Sequence, residues 1–354
     1  MSELSTEKKI YSGIDICKLI ASILVVLLHS VETTAWIPCE IKYVCTRFAV
    51  PFFFIASGFF YFIGLKRSQD SKQYFINYEK NLLLFLAVWS MIYLPFEIKA
   101  YIQNNPGAGW LKITFLLFRR FLVIGAGPYW YLLALIISAA VIFLIYQSKK
   151  EWILIIWICL GLLLEFVYSS LNGILSGFFL YDYFYKAIYF VFSWEFNFIM
   201  YGVPFMGIGL LISKHNLRLS FRKAITIFIL ATLVRVLEYQ MPRLIPSVFW
   251  EHNQISLAFI VQAIAFFMLA KEWQINISKQ RSLTIRQLSS FIYFLHAIVL
   301  YEVLNPLLTR FTDWPIYEGW FIPIKLSMVL IPCILLFMVI KKINNKYLNV
   351  LING

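Results

Sequence analysis

Charged residues, glycine and proline are scarce in this sequence. Only 14% of its 354 residues are charged, and it contains 15 glycines and 12 prolines. In contrast, 61% of the residues are hydrophobic and the mean hydropathy is +0.77. This composition excludes an ordinary soluble domain and an intrinsically disordered chain. We therefore expect a polytopic membrane protein in which residues 1–354 form a single integral membrane domain.

The sequence also lacks the motifs of metal, nucleotide and serine-hydrolase sites. It contains no C-x-x-C pair, no H-E-x-x-H, no P-loop, no glycine-rich dinucleotide fingerprint and no G-x-S-x-G. The five cysteines are therefore interpreted as small hydrophobic residues. We expect no metal ion and no permanently bound cofactor.

Apolar stretches of about 20 residues recur along the chain, and each is long enough to cross a bilayer as a helix. They predict an all-α fold, a bundle of about ten transmembrane helices. The predicted spans are 12–31, 44–65, 82–101, 129–146, 152–170, 196–213, 224–241, 255–270, 287–308 and 320–340. Two further apolar segments, 111–124 and 173–194, are predicted to be interfacial or re-entrant because polar and tyrosine side chains interrupt them.

The basic residues are unevenly distributed between the two sides of this predicted bundle. With the N-terminus inside, the inner segments carry 19 of the 31 Lys and Arg residues, whereas acidic residues do not share the bias. This asymmetry is the positive-inside signature and predicts that both termini are cytoplasmic. The net charge of +13 is thereby explained by topology, and nucleic acid is not expected as a partner.

The first predicted span carries three ionisable residues, Asp15, Lys18 and His29. Such residues are costly in a bilayer and usually face a protein interior or a water-filled cavity. Eleven residues separate Lys18 from His29, which places both on one helix face about 16 Å apart. We expect the two to mark the inner and outer parts of one cavity.

Two interpretations of each residue are open at this point. Lys18 suits an anchor for an anionic group such as phosphate, or an i, i+3 partner of Asp15. His29 suits a general base that takes a proton from a hydroxyl group. It equally suits a structural histidine that is hydrogen-bonded at a helix interface.

Three more residues are candidates within spans. Arg47 lies near the outer start of the second span, where it supports a cavity or snorkels to the surface. Ser57-Gly58 in the same span permits close helix contact. His296 lies within the ninth span, where a lone histidine is more often a packing element than a ligand.

Four stretches taken in order are similar to one known family. They are Asp15-Ile16-Cys17-Lys18 followed by ten residues and His29, the Phe-rich run ending in Ser57-Gly58, Gly127-Pro128-Tyr129-Trp130-Tyr131-Leu132, and Tyr293-Phe294-Leu295-His296. The first matches a basic residue, ten residues and a histidine, which is the pattern of the acyltransferase-3 family of integral membrane acyltransferases. The others resemble later landmarks of that family.

This resemblance implies a bacterial plasma-membrane O-acyltransferase. It implies transfer of an acyl group, usually acetyl, from cytoplasmic acyl-CoA to a hydroxyl of a cell-envelope glycan or related acceptor. His29 would be the catalytic imidazole, and Lys18 the basic partner needed for donor binding or for organisation of the site. The remaining positions implied to bind donor or acceptor are Asp15, Arg47, Ser57, Trp130 and His296.

Other features keep different functions open. Lys66-Arg67 and Lys80 stand where family members often have arginine pairs, which leaves the contact to the donor's nucleotide unassigned. The run Tyr93-Leu94-Pro95-Phe96-Glu97 resembles the membrane part of vancomycin-resistance serine racemases. The alternative is therefore a permease for a small polar solute such as an amino acid. A third possibility is a non-catalytic membrane scaffold or sensor.

Overall fold

A computed structural model describes residues 10–31, 41–121, 127–171, 175–192, 198–244, 256–310 and 319–352. Within these ranges the regular structure is helical and no strand is present. The longer helices are α1 Ser12–Ser30, α2 Ala49–Arg67, α3 Ser71–Asn104, α4 Trp110–Arg119, α5 Tyr129–Ser148, α6 Glu151–Ser170, α7 Phe179–Phe192, α8 Val203–Lys214, α9 Phe221–Leu244, α10 Leu257–Glu272, α11 Lys279–Ala297 and α12 Ile322–Ile343.

Three short π-helical segments adjoin these helices. Ile41–Thr46 precedes α2, Phe198–Gly202 precedes α8, and Ile298–Leu304 follows α11 and continues into the helical turn Asn305–Leu308. Single turns of 3₁₀-helix also occur at Gly319–Phe321 and Leu348–Ile352.

Seven helical segments of the described chain are long and apolar enough to cross a membrane. They are Ser12–Ser30, Lys42–Arg67, Ser71–Asn104, Tyr129–Ser148, Glu151–Tyr168, Lys279–Leu308 and Ile322–Ile343. The predicted all-α, multi-pass membrane architecture is thereby confirmed. The other three predicted spans coincide with α8, α9 and α10, so the total of about ten stays a prediction.

Two helices begin well before the apolar stretches that predicted them. α3 begins at Ser71 because the Asp70 carboxylate accepts hydrogen bonds from the backbone N–H groups of Lys72 and Gln73, at 2.8 and 3.1 Å. α11 begins at Lys279, where the Ser278 side chain accepts from the Arg281 N–H. Hydropathy does not detect such polar first turns, since capping rather than apolar burial starts them.

Glycine permits very close packing between α2 and α8. A Cβ on Gly58 would lie 1.8 Å from the Met206 carbonyl oxygen, and a Cβ on Gly209 would lie 1.9 Å from that of Ile55. The two backbones therefore approach each other where neither carries a side chain. The predicted close helix contact at Ser57-Gly58 is confirmed.

Serine hydroxyls fix the register between α1 and α11. Ser289 Oγ donates to the Lys18 carbonyl oxygen at 2.7 Å, and Ser282 Oγ donates to the Asp15 carboxylate. Ser12 Oγ extends the contact by donating to the Ile275 carbonyl oxygen at 2.6 Å. These bonds hold α1, with its three ionisable residues, against one face of α11.

Candidate functional site

A cavity of about 340 Å³ lies between α1, α2, α3, α5 and α11. Its lining is mainly aromatic, with a few polar and basic groups. The polar or aromatic lining residues include Lys18, Ser57, Tyr61, Tyr74, Tyr78, Tyr131, Arg286, Gln287, Ser289, Ser290 and Tyr293. On the predicted topology, the first turns of α1, α3 and α11 point to the cytoplasm, so this cavity occupies the inner half of the bundle.

Lys18 lines this cavity as the sequence predicted, and its ammonium lies 5.1 Å from the centre of the Phe60 ring. No ion pair between described residues includes Lys18. The possible Lys18–Asp15 pair is not formed. The Asp15 carboxylate instead accepts the Ser282 hydroxyl of α11, so Asp15 secures the helix contact while the Lys18 side chain faces the cavity.

Ser57 also lines the cavity, with its hydroxyl 3.2 Å from the Tyr131 hydroxyl. The sequence had pointed to Trp130 in this motif. Trp130 packs against Phe54 and Tyr201, with ring centroids 6.1 and 5.9 Å apart, and it is absent from the described lining. The side chains of consecutive helical residues point about 100° apart. Because Trp130 points toward Phe54 and Tyr201, the next residue, Tyr131, points toward the cavity.

His29 lies at the far end of α1 from the cavity mouth, and its side chain is exposed at the surface of the protein. Its Nδ1 atom lies 3.1 Å from the Tyr301 hydroxyl, and its ring is centred 5.3 Å from that of His296. Among the described residues, the cavity lining does not include His29. The expectation that Lys18 and His29 mark the inner and outer parts of one cavity is therefore wrong for this cavity. The imidazole is separated from the cavity by the side chains of His296 and Tyr293, whose rings are 6.2 Å apart.

His296 is buried, with 1% of its surface exposed. Its Nδ1 atom lies 2.7 Å from the Tyr293 carbonyl oxygen and 3.2 Å from that of Ile292. Because carbonyl oxygens only accept, Nδ1 carries a hydrogen and Nε2 of the neutral ring carries a lone pair. Nε2 is buried without a hydrogen-bond partner. The Nε2 atom of His296 is therefore a hydrogen-bond acceptor without a donor among the described residues, and its ring lies next to that of His29.

Arg47 belongs to a polar network around the π-helical segment Ile41–Thr46. Its guanidinium lies 5.0 Å from the centre of the Tyr43 ring, and Arg235 donates to the Tyr43 carbonyl oxygen at 3.1 Å. Arg235 also pairs with Glu238 at 3.4 Å. A π-turn displaces carbonyl groups from the regular helical pattern, and Arg235 satisfies one of them. The network thus fixes the backbone that leads to Arg47.

Two candidate residues escaped the sequence analysis, Tyr301 and Arg286. Tyr301 lies in the π-helical segment after α11, and no periodicity in the sequence marks such a segment. Arg286 was counted only as one of the basic residues of an inner loop. Arg286 is four residues after Ser282 and three before Ser289, and this helical spacing predicts that the three share one helix face. The predicted span began at residue 287, so it did not include Arg286.

Comparison with known proteins identifies the family to which the chain is similar. The family model described as "Acyltransferase domain" matches residues 11–341. A serine/alanine racemase of Enterococcus gallinarum is 27% identical over 294 residues, which are 80% of this chain and 40% of that protein. The chain thus spans about two fifths of the length of this curated relative. No solved structure matches.

The family match covers α1 to α12 almost completely, including Lys18, His29 and the cavity-lining helices. The chain therefore belongs to the acyltransferase-3 family, and its described helices are those of a multi-pass membrane protein.

Proposed function

We propose that this protein is an O-acyltransferase of the bacterial plasma membrane. It takes an acyl group, in the first instance acetyl, from acyl-CoA in the cytoplasm. It transfers the group to a hydroxyl of a cell-envelope glycan or related acceptor on the outer side.

The observation that carries this proposal is the position of Lys18 on the inner cavity. Lys18 forms no ion pair with a described carboxylate and is held in place by packing between α1 and α11. An intramembrane cation in this setting supports binding of an anionic ligand. The volume of about 340 Å³ lies within the range of roughly 300–1,000 Å³ that is usual for small-molecule sites.

The distance along α1 supports the same assignment. Lys18 and His29 are separated by about 16 Å, which is comparable to the reach of the pantetheine arm of acyl-CoA. In the proposed complex, the donor's phosphates bind near Lys18 and its thioester extends past Tyr293 toward His29. The side chains of Tyr293 and His296 occupy that path, so the proposal requires them to move aside when the donor binds.

His29 acts as the general base in the proposed reaction. With Nδ1 paired to the Tyr301 hydroxyl, Nε2 takes the proton of the acceptor hydroxyl. The acceptor oxygen then bonds to the thioester carbonyl carbon, the carbon–sulfur bond breaks, and the thiolate leaves. The proton on His29 passes to the thiolate, which gives free thiol and an ester and restores the imidazole.

Basic residues near His29 would stabilise the negative charge that develops on the carbonyl oxygen of the thioester during this step. Arg47 and Lys42 are close enough to His29 to interact with it electrostatically. Positive charge stabilises the oxyanion of a tetrahedral intermediate. We therefore assign Arg47 to stabilisation of the reacting group.

The experiment uses purified protein in vesicles with labelled acetyl-CoA and envelope extract. Wild type is expected to transfer label, and His29→Ala is expected to transfer none above protein-free vesicles. His215→Ala is the matched control, because His215 is an exposed histidine that pairs with Glu151 far from this site. Undiminished transfer by His29→Ala would defeat the assigned role.

The second candidate is a permease for a small polar solute such as an amino acid, since the 27% identical relative is named for action on serine and alanine. The same vesicles distinguish the two functions. Uptake of labelled serine without any consumption of thioester would favour the permease.

A further inference from the structure

We infer that Arg286 and Lys18 together form the site that binds the phosphate groups of the donor's nucleotide. This inference rests on the proposed function and identifies the nucleotide contact that the sequence left unassigned. It also adds a residue, Arg286, to which no role has been given.

The packing of α11 on α1 fixes the position of Arg286. Arg286 lies four residues after Ser282, which binds the Asp15 carboxylate, and three residues before Ser289, which binds the Lys18 carbonyl. Residues at this spacing share one face of a helix. Arg286 therefore lies on the face of α11 that meets α1, between the levels of Asp15 and Lys18.

Arg286 and Lys18 line the same cavity. Arg286 is exposed, which places its guanidinium at the cavity mouth, while Lys18 lies deeper against Phe60. The two cations are close enough to repel each other. The Asp15 carboxylate accepts the Ser282 hydroxyl and also attracts the Lys18 ammonium, so it offsets part of this repulsion.

No Asp or Glu occurs among the described lining residues, and no ion pair of the described chain includes Arg286. Two cations that face one cavity, with no carboxylate in its described lining, favour a negatively charged ligand such as a diphosphate. Arginine binds phosphate through paired N–H donors, and lysine binds it as a point charge. The arrangement therefore favours a phosphorylated ligand over a neutral or cationic one.

Aromatic residues beside these cations suit the base of a nucleotide. Tyr74 and Tyr78 lie one turn apart on α3 with ring centroids 6.2 Å apart and an angle of 25° between the rings. Tyr61 packs on Tyr78 at 4.8 Å. Aromatic side chains bind purines by stacking, with little dependence on hydrogen bonds. The cavity thus combines an anion site with a stacking surface, as a nucleotide requires.

The test measures binding of coenzyme A to the purified full chain by titration calorimetry. Arg286→Gln is expected to weaken binding roughly tenfold, because one charge-assisted contact is lost. Arg286→Lys is expected to recover part of the loss. Arg281→Gln is the matched control, since Arg281 is an exposed arginine of the same helix that does not line the cavity; its affinity should equal that of wild type.

A second probe separates the nucleotide from the rest of the donor. Adenosine 3′,5′-bisphosphate should compete with coenzyme A in wild type, and the competition should weaken in Arg286→Gln. A pantetheine without the nucleotide should bind wild type and Arg286→Gln equally. Thermal unfolding of each variant confirms that it is folded.

Three results would overturn the inference. The first is that Arg286→Gln binds coenzyme A as tightly as wild type. The second is that Arg286→Gln and Arg281→Gln lose the same affinity relative to wild type. The third is that wild type does not bind coenzyme A. Failure of the proposed function has a different signature. In that case wild type binds coenzyme A with the Arg286 dependence described above, yet transfers no acyl group to any acceptor.

Discussion

The Nδ1 atom of His29 on α1 lies 3.1 Å from the hydroxyl of Tyr301, a residue 272 positions away in the π-helical segment after α11. A π-turn rotates the following residues relative to a regular helix, and this rotation allows Tyr301 to face α1. In the tautomer in which Nδ1–H donates to the tyrosine oxygen, this contact orients the imidazole and leaves Nε2 able to accept a proton. The His29–Tyr301 contact is the main geometric support for a general base at this position.

Tyr301→Phe removes this hydrogen bond while it keeps the ring. We predict that kcat falls about fivefold to tenfold, because the loss of one hydrogen bond misorients the base. The KM for acetyl-CoA should stay the same, since Tyr301 is not on the cavity. Steady-state kinetics with labelled acetyl-CoA measure both constants. An unchanged kcat would remove Tyr301 from the mechanism.

His296→Asn tests the unused Nε2 of His296. The asparagine amide can replace the Nδ1–H donor to the Tyr293 carbonyl, but it provides no atom at the position of Nε2. We predict a stable protein whose kcat falls at least about tenfold through the loss of a polar contact to the reacting groups. Full activity in this variant would indicate that His296 is a packing element.

Ser282→Ala is predicted to reduce stability more than donor binding. The substitution leaves the buried Asp15 carboxylate without its hydrogen-bond partner, which costs about 1–3 kcal/mol. Thermal unfolding in detergent should shift to lower temperature, while the double variant with Asp15→Asn should regain part of the loss. If the unfolding temperature is unchanged, the serine does not secure α1 against α11.

Gly58→Ala tests the contact between α2 and α8. The added methyl would lie 1.8 Å from the Met206 carbonyl oxygen, so the helices must separate at a cost of about 1–3 kcal/mol. Gly109→Ala is the control, because a Cβ there has nothing within 4 Å. We predict a lower unfolding temperature for Gly58→Ala only. Equal unfolding temperatures in both variants would contradict the close approach.

Several features could be predicted from the sequence because they depend on local spacing or on composition. Length and hydropathy indicated the membrane-spanning helices, and the eleven-residue interval placed Lys18 and His29 on one helix. Helical spacing also accounts for the ion pair of Arg235 and Glu238, which lie at i and i+3 on α9 and are 3.4 Å apart. Each of these follows from the geometry of a single helix.

Other features depend on contacts between helices and could not be predicted in this way. The partner of Asp15 is Ser282, 267 residues distant, rather than the neighbouring Lys18. Tyr131 rather than Trp130 faces the cavity, because the rotation of α5 is set by its packing partners. Tyr301 reaches His29 through a π-turn, and no sequence period marks that turn.

The account's central claim is that α1 binds the donor at Lys18 and performs the chemistry at His29. The most direct test is a series of acetyl-CoA concentrations, with acyl transfer and coenzyme A binding measured on the same preparations of Lys18→Gln and His29→Ala. We predict that Lys18→Gln raises KM and weakens coenzyme A binding about tenfold while most of kcat remains. His29→Ala should bind coenzyme A as wild type does and transfer no label. Acyl transfer by His29→Ala at the wild-type rate, or unchanged coenzyme A binding in Lys18→Gln, would contradict the claim.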